Sequence, residues 1–193
     1  MLVAIGFTYQ AFMRTMKELQ RRGLVDLVYP EFFDSLSLLV RRRWHAYLRK
    51  LRKVEGSVRV ALWPDYCYDP RIRGSFSVEW VFPLHSAEEL DFALKVADYV
   101  GFPNRDGLCD YTFSWFLEQK QTYGFKAWLL GLKPRYLHVV RSFDACDITP
   151  MSRPDFTFSR FPEFLDPESW VPFLRRLKGL EVTLEVWLRA QDA

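Results

Sequence analysis

The feature that most constrains this chain is an alternation of short apolar runs with longer amphipathic stretches, repeated from the first residues onward. Leu2 to Phe7 is an apolar run of strand length. Tyr9 to Arg22 follows with Phe12, Met16 and Leu19 at helical spacing, and Gly23 stops it. Val25 to Tyr29 reads as a second strand. Phe33 to Val54 reads as one long helix, its apolar face formed by Leu36, Leu39, Val40, Trp44, Tyr47, Leu48 and Leu51. The period then tightens. Strands are expected over Val58–Trp63, Val78–Phe82, Tyr99–Phe102 and Lys126–Leu130. A helix capped by Ser86-Ala-Glu-Glu runs to about Ala97, another runs from Tyr111 to Tyr123, and one or two helical turns follow over Pro134–Val140. Asp166 to Lys178 reads as a helix, whereas Leu180–Val186 fits a strand or, preferably, a helix. Strands alternating with helices pair in parallel, so the class is α/β.

At 193 residues the chain is one domain, 1–193. With 49% hydrophobic residues it has the material for a sizeable core, and disorder throughout is excluded. Polar or turn-forming residues recur where the runs end: Glu31, Asp65, His85, Asn104 with Arg105, Lys133 and Asp144. In a (β/α) barrel those ends build the site. The expected fold is therefore a compact or incomplete TIM-barrel-like (β/α) barrel, with an open parallel sheet as the alternative, since that fold also places its site at strand ends. Neither GxGxxG nor GxxxxGK[ST] occurs, which removes the commonest nucleotide fingerprints.

Net charge is only +3, but residues 41 to 53 read RRRWHAYLRKLRK, with no acid among them. Such a local field attracts phosphates. Arg41, Arg42, Arg43, Arg49, Lys50, Arg52 and Lys53 are thus candidates for nucleic-acid contact, against the simpler reading of a solvated helix face. Cys67, Cys109 and Cys146 are odd in number and widely spaced, which fits reduced thiols. No His, Cys and carboxylate group has metal spacing, and no cofactor is expected. No apolar run has the roughly 18 to 20 residues of a membrane span, and no leader pattern opens the sequence; a cytoplasmic protein is expected.

One stretch concentrates charge. RSFDACDITPMSR, residues 141–153, holds Asp144 and Asp147 three apart with Cys146 between them. The order YVGFPNR, a helix, KAWLLGLKPRYL and then SFDACDITPMSR resembles the last strands of the tRNA-guanine transglycosylase family and its DNA-modifying deazaguanine relatives. Leu129-Leu130-Gly131-Leu132, Pro134, Phe143-Asp144 with Cys146, and Pro150 with Arg153 carry the resemblance. It covers about residues 58–153, and no counterpart of the family's Ser-Asp-Ser-Gly-Gly-Phe-Gln-like stretch or of its zinc cluster is present, so the implied protein is a reduced, divergent relative. The resemblance implies recognition of a purine-like base in tRNA or DNA, with base exchange in which Asp144 attacks the ribose C1′ and holds a covalent glycosyl intermediate. It also implies that Asp65 and His85 read the base, with Gly131 at its turn.

The residues themselves leave alternatives open. Asp144 is equally a helix N-cap or an ion-pair partner of Arg141 or Arg153, and Asp147 reads as a turn former. In WPDYCYDP, Asp65 and Tyr66 suit a planar ligand, but a Pro-Asp turn with packed tyrosines needs none. His85 can simply contact the helix after it. Arg105, beside Asn104, suits a phosphate or carboxylate clamp, and FPNRDG is also a good turn by itself. The rival functions are a non-catalytic module binding nucleic acid or protein, and a hydrolase of small nucleosides or sugars.

Overall fold

A computed structural model of the chain describes residues 1–6, 10–22, 27–28, 32–103 and 109–178. Among these, eight strands form one sheet: β1 (Leu2–Ala4), β2 (Leu27–Val28), β3 (Phe32–Phe33), β4 (Val60–Leu62), β5 (Glu79–Pro83), β6 (Tyr99–Pro103), β7 (Ala127–Leu130) and β8 (Ala145–Asp147). Their spatial order is β2-β1-β8-β7-β6-β5-β4-β3, and every neighbouring pair is parallel. β2 and β3 stand at opposite ends of that order, yet only three residues separate them. A chain covers at most about 14 Å in four steps, so the two edges lie close together and the sheet curls into a near-closed ring. The fold is a (β/α) TIM-barrel-like one.

Helices flank the strands: α1 (Gln10–Arg21), α2 (Leu36–Leu39), α3 (Trp44–Val54), α4 (Arg71–Ser75), α5 (Leu90–Val96), α6 (Phe113–Tyr123) and α7 (Val171–Lys178). Phe12, Met16 and Leu19 bury one face of α1, and Phe12 packs on Trp170 with ring centroids 4.7 Å apart. The capping box at Ser86 and Glu89 forms as its sequence indicates, and Gly124 ends α6 in a left-handed conformation. No helix among the described residues is long and apolar enough to cross a membrane.

The long helix expected over Phe33–Val54 is broken. Phe32 and Phe33 join the sheet, α2 lasts one turn, and Arg42 takes a φ of 50°, which no right-handed helix accommodates. Only after that turn does α3 begin. The expected segments Val25–Tyr29 and Leu180–Val186 lie wholly or largely outside the described residues.

Side-chain alternation divides each strand between the barrel interior and the helix layer. Phe33 meets Tyr47 of α3, and Phe82 meets Phe92 of α5, so these face outward. Phe32 of β3 stacks on Trp128 of β7, 4.9 Å between centroids and 25° between planes, across the ring. Following the register from Trp128, the inward positions are Leu2, Ala4, Phe32, Val60, Leu62, Glu79, Val81, Pro83, Tyr99, Gly101, Pro103, Leu130, Ala145 and Asp147. Phe32, Tyr99 and Trp128 put aromatic rings inside the barrel, and its C-terminal mouth is lined by Ala4, Leu62, Pro83, Pro103, Leu130 and Asp147.

Candidate functional site at the C-terminal mouth

The chemistry at the mouth begins with Asp147, the last residue of β8. It pairs with Ala4 of β1 and points inward, 8% exposed. Its Oδ1 accepts a hydrogen bond from the indole N–H of Trp128 (2.9 Å) and another from the backbone N–H of Gly131 (2.9 Å). Gly131 reaches that position with a φ of 60°, where a side chain is strained. No basic side chain among the described residues pairs with Asp147. Burial therefore outweighs the two donated hydrogen bonds and pushes its carboxyl up to about 6.

After β4 and β5 comes a second group. His85 lies with Nε2 4.0 Å from Asp65 Oδ1 and Nδ1 3.8 Å from Glu89 Oε2, distances that a small shift or one water bridges. Its Nδ1 is buried without a hydrogen-bond partner among the described residues. Glu89 is committed elsewhere: Oε2 accepts the backbone N–H groups of His85 (2.7 Å) and Ser86 (3.1 Å), and Oε1 accepts the Tyr68 hydroxyl. It fixes the loop, and Tyr111 adds to this by donating to Leu84 O at 2.6 Å. Asp65 accepts no such hydrogen bond among the described residues. Burial raises its pKa, with Glu89 adding to the rise and His85 and Arg42 opposing it. Tyr66 lies flat on His85, 4.7 Å between centroids and 24° between planes, and the Arg42 guanidinium lies 4.8 Å from the centroid of the Tyr66 ring.

A third acid escaped the sequence reading. Asp34 follows β3 and is buried, its carboxylate lying over Gly6, so close that a Cβ there would fall 2.1 Å from Oδ2. Tyr47 stands beneath it. The Tyr47 hydroxyl contacts Phe33 O (3.1 Å) and Leu62 O (2.6 Å), and burial raises its pKa, with Asp34 and Asp65 nearby reinforcing the rise. The signal available was the acid directly after Phe32-Phe33, hidden because those residues read as helix.

Several expected site residues fall elsewhere. Asp144 precedes β8, at the N-terminal end of the barrel. Its Oδ2 accepts the N–H of Ala127 (2.8 Å) and pairs with Lys120 Nζ (3.0 Å), so it is a strand-end cap at the floor and lies at the end opposite Asp65 and His85. A nucleophile acting with those two has to share their end of the barrel, and Asp144 does not. Asn104 and Arg105 lie outside the described residues. Arg41, Arg42, Arg43, Arg49, Lys50, Arg52 and Lys53 are all exposed; of these Arg42 lies over Tyr66, Lys50 donates to Ser35 Oγ (3.1 Å), and Arg52 pairs with Glu55 (2.7 Å) and covers Phe76. No group of three His, Cys, Asp or Glu side chains comes together as a metal site among the described residues.

No protein-family model matches the chain. "Uncharacterized protein ORF192" of Acidianus two-tailed virus is 29% identical over 170 residues, covering 82% of this chain and 87% of the viral protein. A solved structure described as "Native KDPGal structure" superposes with a TM-score of 0.51 at 8% identity, covering 92% of this chain and 95% of its own. That likeness concerns the fold. The transglycosylase resemblance is corrected by these findings: no family model supports it, the barrel found similar belongs to a different protein, and the carboxylate assigned as its nucleophile sits at the wrong end. Base exchange and purine-base recognition fall with it.

Proposed function

We propose that this chain is an enzyme of proton-transfer type, acting at a carbon beside a carbonyl group of a small polar substrate held at the C-terminal mouth. The observation that carries this is Asp147, an inward carboxylate at a strand end with no cation paired to it among the described residues and a pKa pushed up to about 6. A base poised near neutral pH is suited to lifting a carbon-bound proton. Asp147 takes that proton, the C–H electron pair becomes a C=C bond, and the carbonyl electrons move onto oxygen as an enolate. His85, which carries at least one N–H in either protonation state, supplies a donor for that oxygen, and Asp65 orients the ring. Return of the proton to a carbon of the enolate system completes isomerase chemistry, and attack of the enolate carbon on an aldehyde carbonyl carbon, whose oxygen takes the proton back, forms a C–C bond in the aldol direction. The barrel architecture supports the choice of this end, because (β/α) barrels build their reaction sites from the loops after the strands.

The experiment is incubation in D2O with a panel of 2-oxo acids, hydroxyketones and their phosphates, followed by NMR. Deuterium incorporation beside a carbonyl, lost in Asp147→Asn and reduced in His85→Gln, is the expected result. If no member of the panel exchanges above the uncatalysed rate, or Asp147→Asn exchanges as fast as the native chain, the proposal is wrong.

A further inference from the structure

We infer that Arg42 is the residue that recognises the substrate, gripping an oxyanion end, phosphate or carboxylate, on top of the Tyr66 ring. This rests on the mouth being the reaction site and adds the class of substrate, an anion.

Arg42 and Tyr66 are the non-glycine residues with positive φ among the described residues, at 50° and 57°. Such conformations cost energy in a side-chain-bearing residue and persist where the surroundings hold them. Here both belong to one stack. Arg42 is pinned by its own N–H to Leu39 O (2.8 Å) and by that of Arg43 to Leu38 O (2.9 Å), and its guanidinium lies 4.8 Å from the Tyr66 centroid. Tyr66 in turn covers His85 in near-parallel contact. The two strained positions thus come from different βα turns and place a cation, a ring and the imidazole in line.

The guanidinium lies over the Tyr66 ring and Arg42 is exposed, so its N–H donors are open to an incoming group. Arg42 makes no side-chain hydrogen bond or ion pair among the described residues, in contrast to Arg52, Arg71, Arg73, Arg153 and Arg160, each paired with a carboxylate. A planar fork with open donors matches the geometry of phosphate or carboxylate oxygens. Electrostatics agree. Asp34, Asp65, Glu89 and Asp147 make the mouth acidic, so an anion is admitted only where a fixed cation offsets them, and Arg42 is close enough to act on Asp65. Exposed Arg41 and Arg43 extend the positive rim on the same turn.

Titration of the full chain with inorganic phosphate and, separately, acetate at fixed ionic strength tests this, with the NMR signals of the Tyr66 and His85 rings as readout. Saturable shifts are expected. Arg42→Gln should weaken binding by roughly tenfold or more, the range of a charge-assisted hydrogen-bond pair. Arg42→Lys, which keeps the charge and loses the fork, should fall between. The stronger of the two probes identifies the group recognised. Equal binding by Arg42→Gln and the native chain, or ring signals unmoved by both probes, overturns the inference. Because the readout involves no turnover, Arg42-dependent binding without deuterium exchange in the panel experiment keeps the anion site and removes the enzymatic reading.

Discussion

The mouth and the floor of the barrel use the same chemical group in opposite ways. At the floor, Asp98 before β6 accepts the N–H of Trp80 in β5 (2.7 Å), and Asp144 before β8 accepts that of Ala127 in β7 (2.8 Å). Each carboxylate closes the first open donor of the neighbouring strand, and each has a cation from the flanking helix, Arg73 or Lys120. At the mouth, Asp147 likewise satisfies donors from the neighbouring strand and its turn, Trp128 and Gly131, but no cation among the described residues accompanies it. The hydrogen bonds are alike at both ends. What differs is the missing counter-charge combined with burial, and that turns a capping group into a titratable one.

The largest expected effect is therefore confined to one end. Asp147→Asn keeps an oxygen to accept from Trp128 and Gly131 but cannot take a proton, and should lower exchange or turnover by about 100-fold or more, the usual contribution of a general base. An activity that survives this substitution breaks the contrast between the ends.

The same substitution should act on stability with the opposite sign. The folded Asp147 titrates at about 6, above the ordinary value of 3.8. Between those values the native state holds the proton more tightly than the unfolded state, so stability falls as pH rises through that window. Asp147→Asn removes this loss. Thermal unfolding should show native chain and variant alike near pH 4 and the variant ahead by about 2 to 3 kcal/mol above pH 7, because each pH unit of that window costs the native chain about 1.36 kcal/mol. A variant no more stable at pH 8 than at pH 4, relative to the native chain, contradicts the raised pKa. A smaller loss is expected for Gly131→Ala, about 1 kcal/mol or somewhat more, because its left-handed backbone is what aims the N–H at Asp147.

How far this was legible in the sequence depended on whether the signal was periodic or positional. The α/β class, the capping box at Ser86 and the helix ended by Gly124 follow from local rules, and the structure keeps them. The break at Arg42 gives no such warning: the apolar spacing continues from Leu36 through Leu51, and only tertiary pairing of Phe32 and Phe33 with β4 forces the turn. That error hid Asp34. Asp65, Tyr66 and His85, each singled out in the sequence because it follows a strong apolar run, lie together at the mouth. Asp144, expected at the mouth, lies at the floor because β8 is three residues long, and a shift of its boundaries by that length moves a carboxylate from one end of a barrel to the other.

Asp144→Asn carries the smallest effect and separates the two ends most cleanly. Its side chain is 42% exposed, and the pair with Lys120 is of the partly solvated kind that contributes roughly 0.2 to 1 kcal/mol. Asparagine keeps an oxygen for the Ala127 N–H, so no buried donor is orphaned. The substitution should therefore lower stability by no more than about 1 kcal/mol, less at high salt, and leave exchange activity unchanged. Lys120→Met should reproduce part of that loss, since it removes the same pair and the bond from Nζ to Ser142 O (2.8 Å). Denaturant titration of both variants, read beside the exchange assay, measures this directly. A fall in activity of Asp144→Asn comparable to that of Asp147→Asn, without matching loss of stability, places chemistry at the floor and reverses the assignment of the two ends.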